Sequence, residues 1–393
     1  MLGRGGLSMF SQRGAGGPPD PSAGYAPYTG PVATRGLAPH DYAAGQLTSM
    51  CRTSHFSTYP ITSLRLIYVG WSYNSGGETA LGVTNTWRAS IEYPSGTFTQ
   101  VLFSGVASGS CASGGLLTSD ACTVSIPVGA KFWVRTWQSN ANGILFRTQP
   151  TASPQDSMVY GASVTDLTMS GTVGGTGGGI VSGPAAIIGS TTRATTVILG
   201  DSRTDGVGGS GADATTGEAG AVRPSFNNIG YVDFSVSSTV ASVHLAANTP
   251  MRRALATAAG CTHLFSYLGI NDLNAGRTAA QLISDHQQIK TDWGGLLMVP
   301  CTLDPHSSST DAWATTVNQT PQGDNINRVS YNTTLRANPT WAQSVIDAAS
   351  ATESSLNSGK WAPNFTGDGI HANAAGYSAS IASGVFTRNK FSH

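Results

Sequence analysis

Between about residue 60 and residue 165, apolar and polar side chains alternate in short runs. The segments SLRLIYVGW, NTWRASIEY, TFTQVLFSG, CTVSIPVGAKFWVRTW and GILFRTQ are rich in β-branched and aromatic residues. In RASIEY and FWVRTW the alternation puts apolar groups on one face and polar groups on the other. NSGGE, YPSGT and SGGLLTSD supply the turns between them. The pattern predicts an antiparallel β-sandwich of jelly-roll type over 56–165.

Past a glycine-rich connector at 166–192 the period changes. Strand-like TTVILG, YVDFSVS, THLFSYLG, GLLMVP and SVIDAA alternate with helical TPMRRALATAA, TAAQLISDHQQIKTDW, NINRVSYNTTLRA and NAAGYSASIASGVF. Strands alternating with helices of ten or more residues predict a parallel sheet covered by helices on both faces over 193–393. Ligands of such sheets bind beyond the carboxyl ends of the strands, so chemistry is expected immediately after them. Residues 1–55 show neither period and are rich in Gly, Pro and Ala. They read as a flexible arm, either a plain linker or a segment that orders against a partner through Phe10, Tyr25 and Tyr28.

Composition narrows the partners. Lys and Arg number 21, as do Asp and Glu, so no net field recruits a polyanion, and neither nucleic acid nor a membrane surface is expected to bind. No run of 18 apolar residues spans a bilayer, and the N-terminus has no apolar h-region. Five cysteines show no zinc-ligand spacing; Cys111 and Cys122 flank one loop, either as a pair in an oxidising environment or as separate thiols. His244, His263, His286 and His306 likewise show no ligand spacing, so no metal or other cofactor is expected. GVGGSG at 206–211 fits a dinucleotide fingerprint in letters only, because no helix is predicted after it. Trp71, Trp87, Trp133 and Trp137 are either core residues of the sandwich or a sugar-stacking platform, and core is the commoner outcome.

Three stretches after predicted strands carry the chemistry. In TTVILGDSRTDG, Gly200 permits a sharp turn that presents Ser202. In YLGINDL, Asn271 stands where a side-chain amide can donate to an oxyanion. In TGDGIHANAAGY, Asp368 stands three residues before His371, a spacing that lets a carboxylate orient an imidazole whose other nitrogen faces a serine. A serine hydroxyl is neutral at ordinary pH and needs such a base.

With these blocks the C-terminal half resembles the SGNH/GDSL hydrolase family, and the resemblance spans 193–393. It implies a three-layer α/β fold, a nucleophilic Ser202, a triad with Asp368 and His371, and an oxyanion hole built from the Ser202 N–H and the Asn271 amide. The family usually has a glycine as a further donor; spacing puts Ser238 there, with Gly230 as the alternative. The resemblance implies a serine esterase. The upstream sandwich favours acetyl groups on a polysaccharide, with a small ester as the minimal substrate. The arm, sandwich and esterase together resemble the layout of phage tail or head appendage proteins. That layout implies virion partners held by the arm, frequent trimers, and an extracellular or virion-associated location without a Sec signal, with a cytoplasmic one left open. The alternative is a non-catalytic glycan-binding or structural virion protein with a degenerate fold of this kind.

Overall fold

The computed structural model describes residues 24–149, 155–175, 179–209, 213 and 216–392. The sandwich is present and antiparallel. One sheet pairs Tyr28–Pro31 with Ala186–Thr191, then Ile61–Val69, which in turn pairs with Leu116–Thr118 and Cys122–Ile126. The other orders Gly109–Cys111, Asn85–Glu92, Lys131–Ser139, Thr48–Phe56 and Ser157–Gly161.

Ile61–Val69 explains how the two halves join. Leu64, Leu66 and Tyr68 point into the sandwich core, while Ile67 and Val69 belong to the large core of the C-terminal half. A strand apolar on both faces is buried on both faces. Ala186–Thr191 behaves the same way, with Ile187 on one side and Ala186 and Ile188 on the other.

A third sheet is fully parallel, in the order Gly36–Leu37, Gly230–Asp233, Thr195–Gly200, His263–Tyr267 and Leu297–Pro300. The serine strand is central, and every residue of Thr195–Gly200 is buried. The helices Pro250–Ala259, Ala279–Asp292, Asn325–Arg336 and Ala374–Ser383 fall on the segments with helical period. Thr278 and Gln281 close a capping box on the second of these.

Three expectations change. Residues 24–55 are not a flexible arm, since they supply strands to both sandwich sheets and to the parallel sheet and bury Val32, Ala33, Leu37 and Ala38. Their elements are mostly two to four residues long and gain stability only from tertiary pairing, so no period marks them. Phe10 lies outside the described residues. The segment SVIDAA is not the fifth strand: Ile346 makes only an isolated bridge to Cys301, and Gly36–Leu37 takes the opposite edge. The connector is not a plain linker, because Ile180–Val181 and Ala186–Thr191 are strands and Leu167, Thr168, Ser170 and Gly171 accept hydrogen bonds from Ser90 and Arg135.

Trp71 and Trp87 are core residues. Trp133 and Trp137 are half-buried on the outer face, under the guanidinium groups of Arg52 and Arg88. Cys111 and Cys122 are separate buried thiols, and burial pushes both up in pKa.

Candidate active site

The serine strand ends at Gly200, where a side chain would collide with Thr204; a Cβ would lie 2.1 Å from its hydroxyl oxygen. That close approach lets the chain turn at once into the short helix Ser202–Asp205, whose N-cap Asp201 accepts from the Arg203 N–H at 2.9 Å. Ser202 is buried but for 8% of its surface.

The His371 ring meets the serine from the other side. Its Nε2 is 2.8 Å from Ser202 Oγ, and its Nδ1 is 2.7 Å from Asp368 Oδ2. Asp368 Oδ1 accepts the backbone N–H groups of Ile370 and His371, each at 2.8 Å. Burial pushes the Asp368 carboxyl up, but these N–H donors and the imidazole outweigh it and hold the group below the usual carboxylate range. Ser202, His371 and Asp368, 169 positions apart at the extremes of one hydrogen bond, are thereby one connected chain.

Residues not singled out from the sequence fix this loop. The buried Arg203 donates from Nε to the Ile370 carbonyl at 3.1 Å and from NH2 to the Pro305 carbonyl at 3.2 Å, which ties the histidine loop to the serine turn. Thr366 Oγ1 donates to the His371 carbonyl at 2.7 Å and accepts from Gly369 N at 2.9 Å. Gly369, at φ +80°, donates no side chain because a Cβ would lie 1.8 Å from the Ser307 carbonyl oxygen and 2.8 Å from the Trp313 ring. Thr two residues before Asp368 is the one local signal for this closure; Arg203 and Trp313 have none.

Ser238 lies in the turn after Gly230–Asp233 with φ +66°, a left-handed conformation that glycine adopts most easily. Gly230 stands at the far end of that strand, against Pro31, where a Cβ would be 1.9 Å from the Pro31 oxygen. Asn271 Nδ2 donates to the Thr239 carbonyl at 2.9 Å, and Asp272 accepts the Ala241 N–H at 3.0 Å. These two bonds fasten the Asn271 turn to the Ser238 turn. One N–H of the Asn271 amide is used in this way, leaving its second for another acceptor.

Two acids beside the site are perturbed. Burial pushes the Asp201 carboxyl up to about 7, against the opposing pull of Arg203, and its Oδ2 has no hydrogen-bond partner among the described residues. Burial likewise pushes Asp272 up to about 6, with the Ala241 N–H opposing. His244 and His286 are buried in hydrogen-bonded settings that hold them below the usual imidazole range, burial being the main cause. His306 pairs with Asp324, and His263 packs edge-on against Phe391. Gly206 caps the serine helix in a left-handed conformation, and 210–212 lie outside the described residues.

Comparison with protein-family models finds no match, and neither does comparison with curated proteins. Solved structures do match. A GDSL-like lipase from Bacteroides thetaiotaomicron shares 14% identity over 48% of this chain and 84% of its own, with a TM-score of 0.33. A carbohydrate acetylesterase from Sinorhizobium meliloti shares 14% over 49% of this chain and 97% of its own, at 0.33. A carbohydrate esterase family 2 enzyme with a carbohydrate-binding domain, from Myceliophthora fergusii, shares 15% over 92% of this chain and 99% of its own, at 0.32.

Proposed function

We propose that this chain is a serine ester hydrolase of the SGNH/GDSL kind that removes acyl groups, acetyl foremost, from a polysaccharide. The observation that carries the reading is the unbroken Ser202–His371–Asp368 hydrogen-bond chain beyond the carboxyl end of the central parallel strand. The Nδ1–H donates to Asp368, so the Nε2 lone pair faces the serine hydroxyl.

In the proposed reaction Ser202 Oγ forms a bond to the ester carbonyl carbon as its proton passes to His371 Nε2. Asp368 steadies the imidazolium. The oxyanion is held by the N–H of Ser202, which opens a helix and has no intrahelical acceptor, with the N–H of Ser238 and the second N–H of Asn271. Collapse breaks the bond to the alcohol, which leaves with the proton from Nε2. Water, deprotonated by the same nitrogen, then displaces Ser202 from the acyl group and restores the starting state. The carbohydrate part of the reading is supported by the sandwich, which shares a core with the sheet that carries the serine.

The test is covalent labelling. Incubation with a fluorophosphonate is expected to add one phosphonyl group at Ser202, read by mass spectrometry of the intact chain and of its peptides. Labelling elsewhere, or labelling that persists in Ser202→Ala, would remove Ser202 as nucleophile.

A further inference from the structure

A cavity of about 260 Å³ lies between the two halves of the molecule. Its walls on one side are two turns of the proposed site. Val207, whose N–H donates to the Ser202 carbonyl at 3.0 Å, and Asp205 belong to the serine turn. Val236 and Ser237 come immediately before Ser238. The next residue of the serine turn, Gly208, packs on the histidine side, where a Cβ would be 3.0 Å from His371 Cβ. The other wall comes from elsewhere in the chain, from Thr148 and Gln149 at the end of the strand Ile144–Thr148 and from His40.

Among the described residues the lining offers no unpaired charge. Asp205 is held by Arg223 at 2.5 Å and by the Ser237 hydroxyl at 3.1 Å. Burial keeps His40 neutral, far below the usual imidazole range, and Arg147 adds to this. What remains is valine surface interleaved with hydroxyl, amide and imidazole groups. A lining of this kind discriminates against anions and matches a neutral ring that has both C–H faces and hydroxyl edges. The volume falls just below the ~300–1,000 Å³ typical of drug-sized ligands, room for a single ring.

We infer that this cavity seats a sugar ring of the acylated carbohydrate, so that Gln149 and Thr148, the latter backed by His40, read the substrate while the serine turn acts on it. The inference rests on the esterase reading, and its test separates the two. Gln149 is half-buried, lies outside the catalytic turns, and is suited to replacement by a larger residue. Gln149→Trp is expected to lower kcat/KM for methyl 6-O-acetyl-glucopyranoside, which keeps three ring hydroxyls free, about tenfold, through KM, and to leave p-nitrophenyl acetate and p-nitrophenyl octanoate within about twofold. Loss confined to the octanoate would make this an acyl-chain pocket and overturn the inference. Equal loss on all three esters, or on none, would overturn it as well. Calorimetric binding of methyl 6-O-acetyl-glucopyranoside to Ser202→Ala, weakened by adding Gln149→Trp, is expected whether or not the wild type turns over esters. Failure of turnover with that binding intact strikes the esterase reading; unaltered binding strikes the cavity.

Discussion

Asp201 sits next to the proposed nucleophile with one carboxyl oxygen unpartnered and its pKa raised by burial to about 7. An unfolded Asp titrates near 3.9, so the native state holds a proton that the unfolded state has released between about pH 4 and pH 7. Stability from this group is therefore complete below pH 4 and is lost as pH rises through 7, with a slope of at most ~1.4 kcal/mol per pH unit. Asp201→Asn keeps an oxygen to cap the serine helix and removes the titration. Its stability in urea melts is expected to gain on the wild type as pH rises from 4 to 8; parallel curves would contradict this. On the proposed mechanism, Asn271→Ala is expected to lower kcat by ~10²–10³ with little change in KM, because the lost N–H would act on an oxyanion that exists only in the transition state. At this scale the sequence was informative. Ser202 directly follows its strand, and Asp368 and His371 reach it from a loop that follows no strand; Ser238 occupies a positive φ where a glycine is the usual resident. Arg203 and Trp313 were not legible, since their work lies in contacts with loops more than a hundred and more than fifty positions away, respectively.

Among the elements, the hairpin Ser307–Ser309 and Gln319–Pro321 supports the histidine loop. Its connecting turn holds Ala312 and Trp313 at φ +54° and +61°, a conformation that costs of order 1–3 kcal/mol per residue and persists only where the surroundings impose it. The ring that results rests on Gly369, and the Ser307 N–H donates to the Gly369 carbonyl at 3.1 Å. Trp313 is a positioning residue on this account. Trp313→Ala is expected to lower kcat ~10- to 100-fold with KM nearly unchanged, as a displaced imidazole would, and Trp313→Phe to recover most of it. A change in KM alone would contradict the account. Helices with a 3.6-residue period were legible at this scale, whereas the two-residue strand Gly36–Leu37 carries no pattern of its own and exists because Gly230–Asp233 offers it a partner.

At the scale of the whole molecule, two features weld the halves. One is the doubly buried strand Ile61–Val69. The other is a buried ionic cluster in which Arg147, from the sandwich side, donates to Asp233 at 2.9 Å beside Arg223. Burial pushes Asp233 up, and the two guanidinium groups overcome it and hold the group down at about 2. Removing one member of such a cluster leaves buried charge uncompensated, so Arg147→Leu is expected to cost ~3–5 kcal/mol. Thermal unfolding is expected as one transition for the whole chain, read by calorimetry; two separated transitions would contradict a shared core. Composition and period located the two architectures but not their union, because apolar residues on both faces of SLRLIYVGW read equally well as one sandwich strand. What decides the function is whether this welded frame presents a working serine. Hydrolysis of p-nitrophenyl acetate by the wild type and by Ser202→Ala measures that directly. Turnover by the wild type that falls at least ~10³-fold in the variant is the predicted result, and turnover equal in the two proteins, or absent from both, would contradict it.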